Sequence, residues 1–373
     1  MTFFNELKNY DWDEIKSFIY SRSESDVERA INLNSLSIED FATLLSPAAE
    51  KFLEPLAVRA NRITTQRFGK TIKIYIPMYV SNECVNSCVY CGFNVHNKFK
   101  RKTLTIEEVS RELEVIKKTG IRHLLICSGE HPKKVSVDYL SEVVKLVRKN
   151  GFSSIILEVQ PLDENEYRLL YNFGVDSLTL YQETYNKKTY AEVHLGGKKT
   201  DFRYRLEAVE RAANAGLRTI GIAALMGLED FRVEEFFVGI HARYLMKTYW
   251  KTHVTVSFPR IRDAEGHFKP KHIITDKNLV QSMLALRLFL HDVGLVVSTR
   301  EPAHLRDKLI YLGVTQMSAG SKTNPGGYAA GEEEGKQFEV EDTRSAEEFI
   351  QSVKMKGFDP VLKDWDSSFI DAI

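Results

Sequence analysis

From residue 71 onward, short β-rich apolar runs alternate with longer amphipathic ones, and no other feature of the chain constrains its fold as strongly. Eight apolar runs fall at 72–80, 123–127, 154–159, 177–181, 219–224, 252–257, 295–299 and 314–318. Between them, 105–118, 137–149, 165–173, 202–215, 233–247, 277–293 and 303–311 carry apolar residues at helical spacing. Strands separated each time by a helix become parallel neighbours, and eight such units close on themselves. The expected fold class is therefore α/β, a (β/α)8 TIM-type barrel. An open doubly wound sheet is the alternative, because one or two miscounted strands would open it. Thr105 with Glu108 fits a capping box, and Gly120, Gly151, Gly174, Gly216, Gly294 and Gly313 sit where helices should end.

The flanks read differently. Residues 1–70 are expected to form an N-terminal helical extension, with helices at 11–22, 26–33 and 37–45 and a further one opened by Pro47 and running to about residue 65. Residues 71–320 form the barrel. Residues 321–373 are expected to be a C-terminal loop, helix and tail packing on it: 324–335 is rich in Gly and Glu, 345–356 is helical, and 364–369 is acidic and aromatic. With 43% hydrophobic residues in 373, the chain can bury a large core, which excludes disorder as a global description. Lys and Arg (51) balance Asp and Glu (51), so no basic excess draws it to nucleic acid or membrane by bulk charge. Four cysteines do not make a disulfide scaffold. The N-terminus has no basic stretch leading into an apolar one. The longest apolar runs, 217–228 and 284–297, are interrupted by charges and fall short of the ~18 residues of a membrane span. A soluble, cytoplasmic protein is the expectation.

Directly after the first apolar run stands Ser81-Asn-Glu-Cys-Val-Asn-Ser-Cys-Val-Tyr-Cys-Gly-Phe93. Cys84, Cys88 and Cys91 place three thiolates on one loop, which suits a [4Fe–4S] cluster with three irons held by protein and a fourth open to a ligand. Zinc is the alternative, but it ordinarily takes a fourth Cys or His at matching spacing. Cys127 could complete four-Cys ligation and make an electron carrier. Strand alternation sets it on the opposite face from Ser128 and Glu130, so a buried structural thiol is expected. Polar groups recur where strands end, the face that carries chemistry in a barrel: Glu158, Gln160, Gln182, Glu183, Arg260, Arg262, Ser298 and Arg300. Among the histidines only His194, in a Gly-rich loop, invites a functional reading. Lys98, Lys100, Arg101 and Lys102 form a basic cluster of a kind that can touch RNA, but a solvated loop is the preferred reading in a chain of zero net charge.

The cysteine loop resembles that of the radical S-adenosylmethionine (SAM) superfamily. That resemblance implies that the open iron binds the amino and carboxylate groups of SAM, and that one electron cleaves the cofactor to methionine and a 5′-deoxyadenosyl radical. It further implies cofactor-side roles for Tyr90 in the loop and for Gly129 and Glu130 in Ser128-Gly-Glu130, which is similar to a Gly-Gly-Glu motif. Glu158 would then lie near the ribose, Arg205 would pair with the methionyl carboxylate, and Gly227-Leu-Glu-Asp230 is similar to an adenine-side motif. Several stretches together resemble the 2-iminoacetate synthase family, the tyrosine lyases of thiamine thiazole biosynthesis. They include 78–82, 181–185, 194–201, 257–262, 298–301, 317–328, Gln337-Phe338, 342–345 and 364–366. The resemblance implies cleavage of the Cα–Cβ bond of L-tyrosine to 2-iminoacetate and p-cresol, with Ser298 and Arg300, and Arg260 beside them, in the tyrosine pocket. It implies reduced flavodoxin or ferredoxin as electron donor, thiazole synthase as partner, and neither nucleic acid nor membrane. A hydrogenase-maturation tyrosine lyase shares most motifs but carries further cysteines, and here none follows Cys127. A tryptophan lyase is the near alternative; an Fe–S electron carrier or zinc-stabilised scaffold is the distant one.

Overall fold

A computed structural model describes residues 2–364 and 366. Eight parallel strands close into a barrel: β1 (Thr71–Ser81), β2 (His123–Ser128), β3 (Ser154–Glu158), β4 (Ser177–Thr179), β5 (Thr219–Ile222), β6 (His253–Ser257), β7 (Gly294–Val297) and β8 (Gln316–Ser318). The closing pair sets Ile74 beside Met317 and Tyr75 beside Ser318, which removes the open-sheet alternative. Alternation along β1 explains the two cores. Ile72, Ile74, Ile76, Met78 and Val80 pack outward with the helices, while Tyr75 and Tyr79 join Leu125, Cys127, Ile156 and Val296 in a separate inner cluster. Among the described residues no helix is long and apolar enough to cross a membrane.

Three departures from the sequence reading have local causes. A ninth strand, β9 (Asp359–Val361), pairs with the first residues of β1. Only three residues long and containing Pro360, it leaves no periodic trace. The expected helix over 202–215 is two, Phe202–Leu206 and Ala208–Asn214, and an extra helix covers Lys187–Val193. Pro47 opens a 3-10 turn, Pro47–Phe52, and the long helix begins only at Leu53.

The N-terminal helices lie against the barrel helices Phe231–Thr248 and Asp276–Phe289. Phe3 stacks on His241 (4.0 Å), Trp12 on Phe237 (5.3 Å) and Phe41 on Phe289 (4.4 Å). At the other end of the chain, the segment after Lys322 crosses the barrel mouth. Tyr328 donates its hydroxyl to the Pro77 carbonyl (2.7 Å), Tyr79 to Gln337 Oε1 (2.7 Å), and the Glu341 N–H to the Thr299 carbonyl (3.0 Å). A buried Arg306–Asp342 ion pair, with Arg306 also donating to the Ser318 carbonyl, ties this strap to β8. Of the expected acidic tail, Asp364 accepts from His123 and pairs with Lys73; Trp365 and 367–369 lie outside the described residues.

Candidate active site

The strand ends and the strap enclose three connected hollows of ≈580, ≈510 and ≈410 Å³ that share Glu158 and Tyr181 as walls. Cys84, Cys88 and Cys91 line the first. Their loop is held independently of the thiols. Arg101 Nη1 donates to the carbonyls of Asn82 (2.7 Å) and Phe93 (2.9 Å), its Nη2 donates to those of Asn94 and Asn97, and the guanidinium lies 4.0 Å from the Phe99 ring. Half of the basic cluster is thus internal: Arg101 clamps both flanks of the cysteines, and Lys102 pairs with Glu108 and Glu332. Arg101→Ala should cost about 1.5–3 kcal/mol, the scale of hydrogen bonds to a charged donor. We expect a lower melting temperature together with poorer retention of reconstituted iron, whereas a purely solvated arginine would change neither.

Two glycines are required by close approach. A β-carbon at Gly92 would lie 2.4 Å from the Lys336 carbonyl oxygen, so the strap rests directly on the cysteine loop. A β-carbon at Gly129 would lie 2.3 Å from the Glu83 carbonyl oxygen. Gly129 therefore lets the turn after β2 run against the cysteine loop. Gly129→Ala is expected to displace that loop and lower iron content at little change in secondary structure, which circular dichroism and iron analysis would check.

Burial pushes all three thiols up, Cys91 to about 11 and Cys88 further. Unassisted, they stay protonated at neutral pH and are poor nucleophiles. A cationic centre would convert them to thiolates, so the donor set fits a metal cluster better than thiol chemistry. Among the described residues no three His, Cys, Asp or Glu side chains converge on a position for a single ion.

Beside the thiols sits a buried quartet of charges. Arg205 donates to Glu130 (2.7 Å), Glu183 (3.4 Å) and the Tyr181 carbonyl (2.7 Å), and Lys199 pairs with Glu183 (2.7 Å). Asn86, from the cysteine loop, donates to Glu130 (2.7 Å) and accepts from the Lys199 N–H (3.1 Å). Burial alone would raise the Glu183 carboxyl, but Lys199 and Arg205 hold it below its usual range. The two carboxylates outweigh the desolvation of Arg205 and bind its proton more tightly than in a free guanidinium. Glu183 itself has φ +73°, a left-handed conformation costly for a residue with a β-carbon. The turn is fixed from behind by Glu234, which accepts from the Thr184 hydroxyl and the Tyr185 N–H.

His194 joins the site through its neighbours. Its backbone bridges Cys88, and its Nε2 lies 2.7 Å from the Tyr90 hydroxyl. Its Nδ1, at 2.8 Å from the Tyr190 carbonyl, is the donor, so Tyr90 donates to a neutral imidazole. Burial lowers the histidine to about 3, in keeping with that tautomer.

The third hollow lies under the strap, lined by Ser298, Arg300, Tyr75, Ser321 and Phe338. The Arg300 guanidinium stacks 3.4 Å from the Phe338 ring centre, and the Arg300 backbone N–H donates to Ser298 Oγ (3.3 Å). Burial raises the Glu158 carboxyl to about 7, with Arg300 drawing it down in part. Arg260 is not brought into these hollows. It pairs with Glu301 and with Asp276 (2.9 Å), and Arg262, also on Glu301, takes the position facing the cavity. The Gly227–Asp230 stretch forms a helix entry: Asp230 accepts from the Arg232 N–H (3.1 Å), and Glu229 accepts from the Thr189 hydroxyl (2.6 Å).

Cys127 is buried as expected, but it shares a hollow with Ser128 and Glu130 instead of facing away from them. It joins the inner cluster with Tyr79 and lines the same hollow as the other three cysteines. Alternation holds along β2, with Leu124 and Ile126 in the outer core and Leu125 and Cys127 in the inner cluster; the strand ends at Ser128, and the turn after it brings Glu130 to the same hollow outside strand parity. Its thiol is directed at the Leu125 carbonyl, 3.9 Å away. Sequence reasoning missed the internal roles of Arg101 and Lys199 and the way Gln337 and Phe338 close the mouth.

Residues 78–237 match the family model for the radical SAM superfamily, and 257–359 match that for the biotin and thiamin synthesis associated domain. The chain is 45% identical to 2-iminoacetate synthase of Escherichia coli over 98% of its own length and 97% of that protein. It is 44% identical to the Salmonella typhimurium 2-iminoacetate synthase over the same shares. The X-ray structure of the FeFe-hydrogenase maturase HydG from Carboxydothermus hydrogenoformans superposes with a TM-score of 0.82 at 34% identity, covering 94% of this chain and 80% of that one.

Proposed function

The chain belongs to the 2-iminoacetate synthase family of the radical SAM superfamily, and from that membership we infer that it cleaves the Cα–Cβ bond of L-tyrosine. The products are 2-iminoacetate (dehydroglycine) and p-cresol, with 5′-deoxyadenosine and methionine from SAM, and the imine feeds thiamine thiazole biosynthesis. When bound, the [4Fe–4S] cluster and SAM supply the one-electron chemistry that generates the 5′-deoxyadenosyl radical.

The chain's own residues bind, orient and shield. Cys84, Cys88 and Cys91 are assigned as the three cluster ligands. Glu130 and Arg205 present a carboxylate and a guanidinium side by side, complementary to the ammonium and carboxylate of a methionyl group. Gly129 supports that pair through its packing, Glu158 lines the same hollow, and Tyr90 lines the adjoining one. Arg300 with Ser298 is assigned to the tyrosine carboxylate, because both line the hollow furthest under the strap. Arg260 is reassigned as a positioning residue acting through Glu301 and Arg262. Gln337 and Phe338 close the mouth, which keeps water from an imine that hydrolyses and confines the radical to the bound substrate. An unstable imine favours transfer to a partner, and thiazole synthase is the proposed recipient. A reduced flavodoxin or ferredoxin is the proposed electron source.

One observation carries the reading: three thiols and an arginine fork open into connected hollows around one glutamate. The test is anaerobic reconstitution with iron and sulfide, followed by dithionite, SAM and tyrosine. Release of p-cresol matched by 5′-deoxyadenosine is expected. An indole product from tryptophan, with none from tyrosine, would reassign the substrate. Deoxyadenosine formation indifferent to either amino acid would remove the lyase reading.

A further inference from the structure

We propose that the exposed face around the cysteine loop is the docking surface for a small, acidic, one-electron carrier protein. The proposal rests on the lyase reading above, since that reaction requires an electron to reach the cluster from outside the chain.

Two segments build the face. Residues 84–102 and 193–200 contain no Asp or Glu, in a chain whose charges otherwise balance. They are bound to each other at the cysteines: the Leu195 N–H donates to the Ser87 carbonyl (2.8 Å), the Ser87 N–H to the Gly196 carbonyl (3.0 Å), and the Val89 N–H to the Val193 carbonyl (3.1 Å). Three apolar side chains stand out of this join and stay exposed among the described residues, Leu195 at 63%, Val95 at 43% and Val85 at 36%. Leu195 follows His194, whose backbone bridges Cys88, and Val85 follows Cys84. The apolar cap therefore sits directly over the loop that holds the thiols.

Charge selects the partner. Of the six cations in the two segments, Arg101, Lys102 and Lys199 are engaged within the fold, while Lys98, Lys100 and Lys198 are exposed. Glu334, which accepts from the Lys100 backbone N–H (3.4 Å), offsets part of the charge at that lysine, leaving Lys98 and Lys198 as the cations beside a few apolar contacts. That fits a weak, transient interface with an acidic protein, in which charge steers encounter and the small apolar centre sets register. Nucleic acid fits less well, because no exposed aromatic side chain accompanies these lysines for bases to stack on. In the proposed step the carrier is oxidised by one electron and the cluster is reduced by one; no proton or group moves.

The test uses reconstituted full-length enzyme, with reduced flavodoxin as the probe carrier and dithionite as a reductant that needs no docking. In K98E/K198E, and separately in L195D, flavodoxin-driven p-cresol formation is expected to fall about tenfold through a raised KM for flavodoxin. Dithionite-driven formation should stay within about twofold of the parent, because these side chains lie outside the site. Flavodoxin binding followed by calorimetry should weaken in parallel, and the parent's binding should weaken with added salt more steeply than the variant's. The charge control is R59E/R62E, in a basic groove on the helix Leu53–Phe68. Equal loss with both reductants, unchanged flavodoxin binding, or an equal effect of the control would each overturn the proposal. Failure of the parent with dithionite would instead count against the lyase reading, leaving the binding measurement to decide the surface.

Discussion

Cys88→Ser protein is expected to fold, to lose the absorption and iron of the reconstituted cluster, and to release no measurable 5′-deoxyadenosine. The loss should be about 10³-fold or more, because radical generation is the first step and no other group of the chain supplies it. The fold should survive because the loop does not depend on the thiol. Arg101 clamps its flanks, Asn94 donates to the Cys88 carbonyl (2.9 Å), and the backbone at Cys88 bridges His194. The stability change should therefore stay near 1 kcal/mol, the ordinary scale of a single substitution. Cys84→Ser and Cys91→Ser should behave alike. Cys127→Ala separates the open-iron reading from an electron carrier. Its thiol is aimed at a backbone carbonyl, so the variant should keep its cluster and its SAM cleavage while losing about 1–2 kcal/mol of stability. A Cys127→Ala protein unable to hold iron would make the site a four-thiolate centre and end the case for SAM bound at an open iron.

The architecture was legible because a barrel writes itself into sequence at short range. Each strand and helix has its own period, and all eight barrel strands lie within a few residues of their expected places. What escaped depends on distant partners. β9 exists because β1 leaves its first residues free to pair with a three-residue run almost 300 positions away. The cysteines, Glu130, Glu158 and Arg300 could be placed on one face because each follows a barrel strand, whereas Arg205, on the helix Phe202–Leu206, was suggested only by the family resemblance. Whether a given arginine there turns inward was not readable. Arg260 and Arg300 both follow strands, yet Glu301 and Asp276 claim the first, and an aromatic ring from the strap covers the second. The face of Cys127 was misread for a different reason: β2 ends at Ser128, so the alternation that places Leu125 and Cys127 in the lumen does not extend to Glu130.

Arg300→Ala should lower kcat/KM for tyrosine by about 30- to 3,000-fold, the 2–5 kcal/mol lost when a buried, hydrogen-bonded charge pair is cut on one side. Arg262 cannot substitute, because Glu301 already neutralises it, and Arg205 is held between two carboxylates. SAM cleavage does not use Arg300, so 5′-deoxyadenosine should outrun p-cresol, and that ratio distinguishes lost substrate anchoring from general damage. Arg300→Lys keeps the charge without the planar fork and should recover part of the affinity but not the coupling. A second consequence falls on Glu158, whose carboxyl burial raises to about 7 while Arg300 pulls it down. Below its unfolded value near 4.5 the carboxyl is protonated in both states. As pH rises from there toward 7, the unfolded chain releases the proton while the folded one retains it, so stability falls through that window and then levels off. Without Arg300 the folded value moves higher still, and the fall should continue past pH 7. Melting temperatures from pH 5 to 9 should thus diverge on the alkaline side, the alanine variant dropping further than the parent. Parallel curves, with p-cresol still matched to deoxyadenosine, would place Arg300 outside the reacting cavity and free the tyrosine carboxylate for another partner.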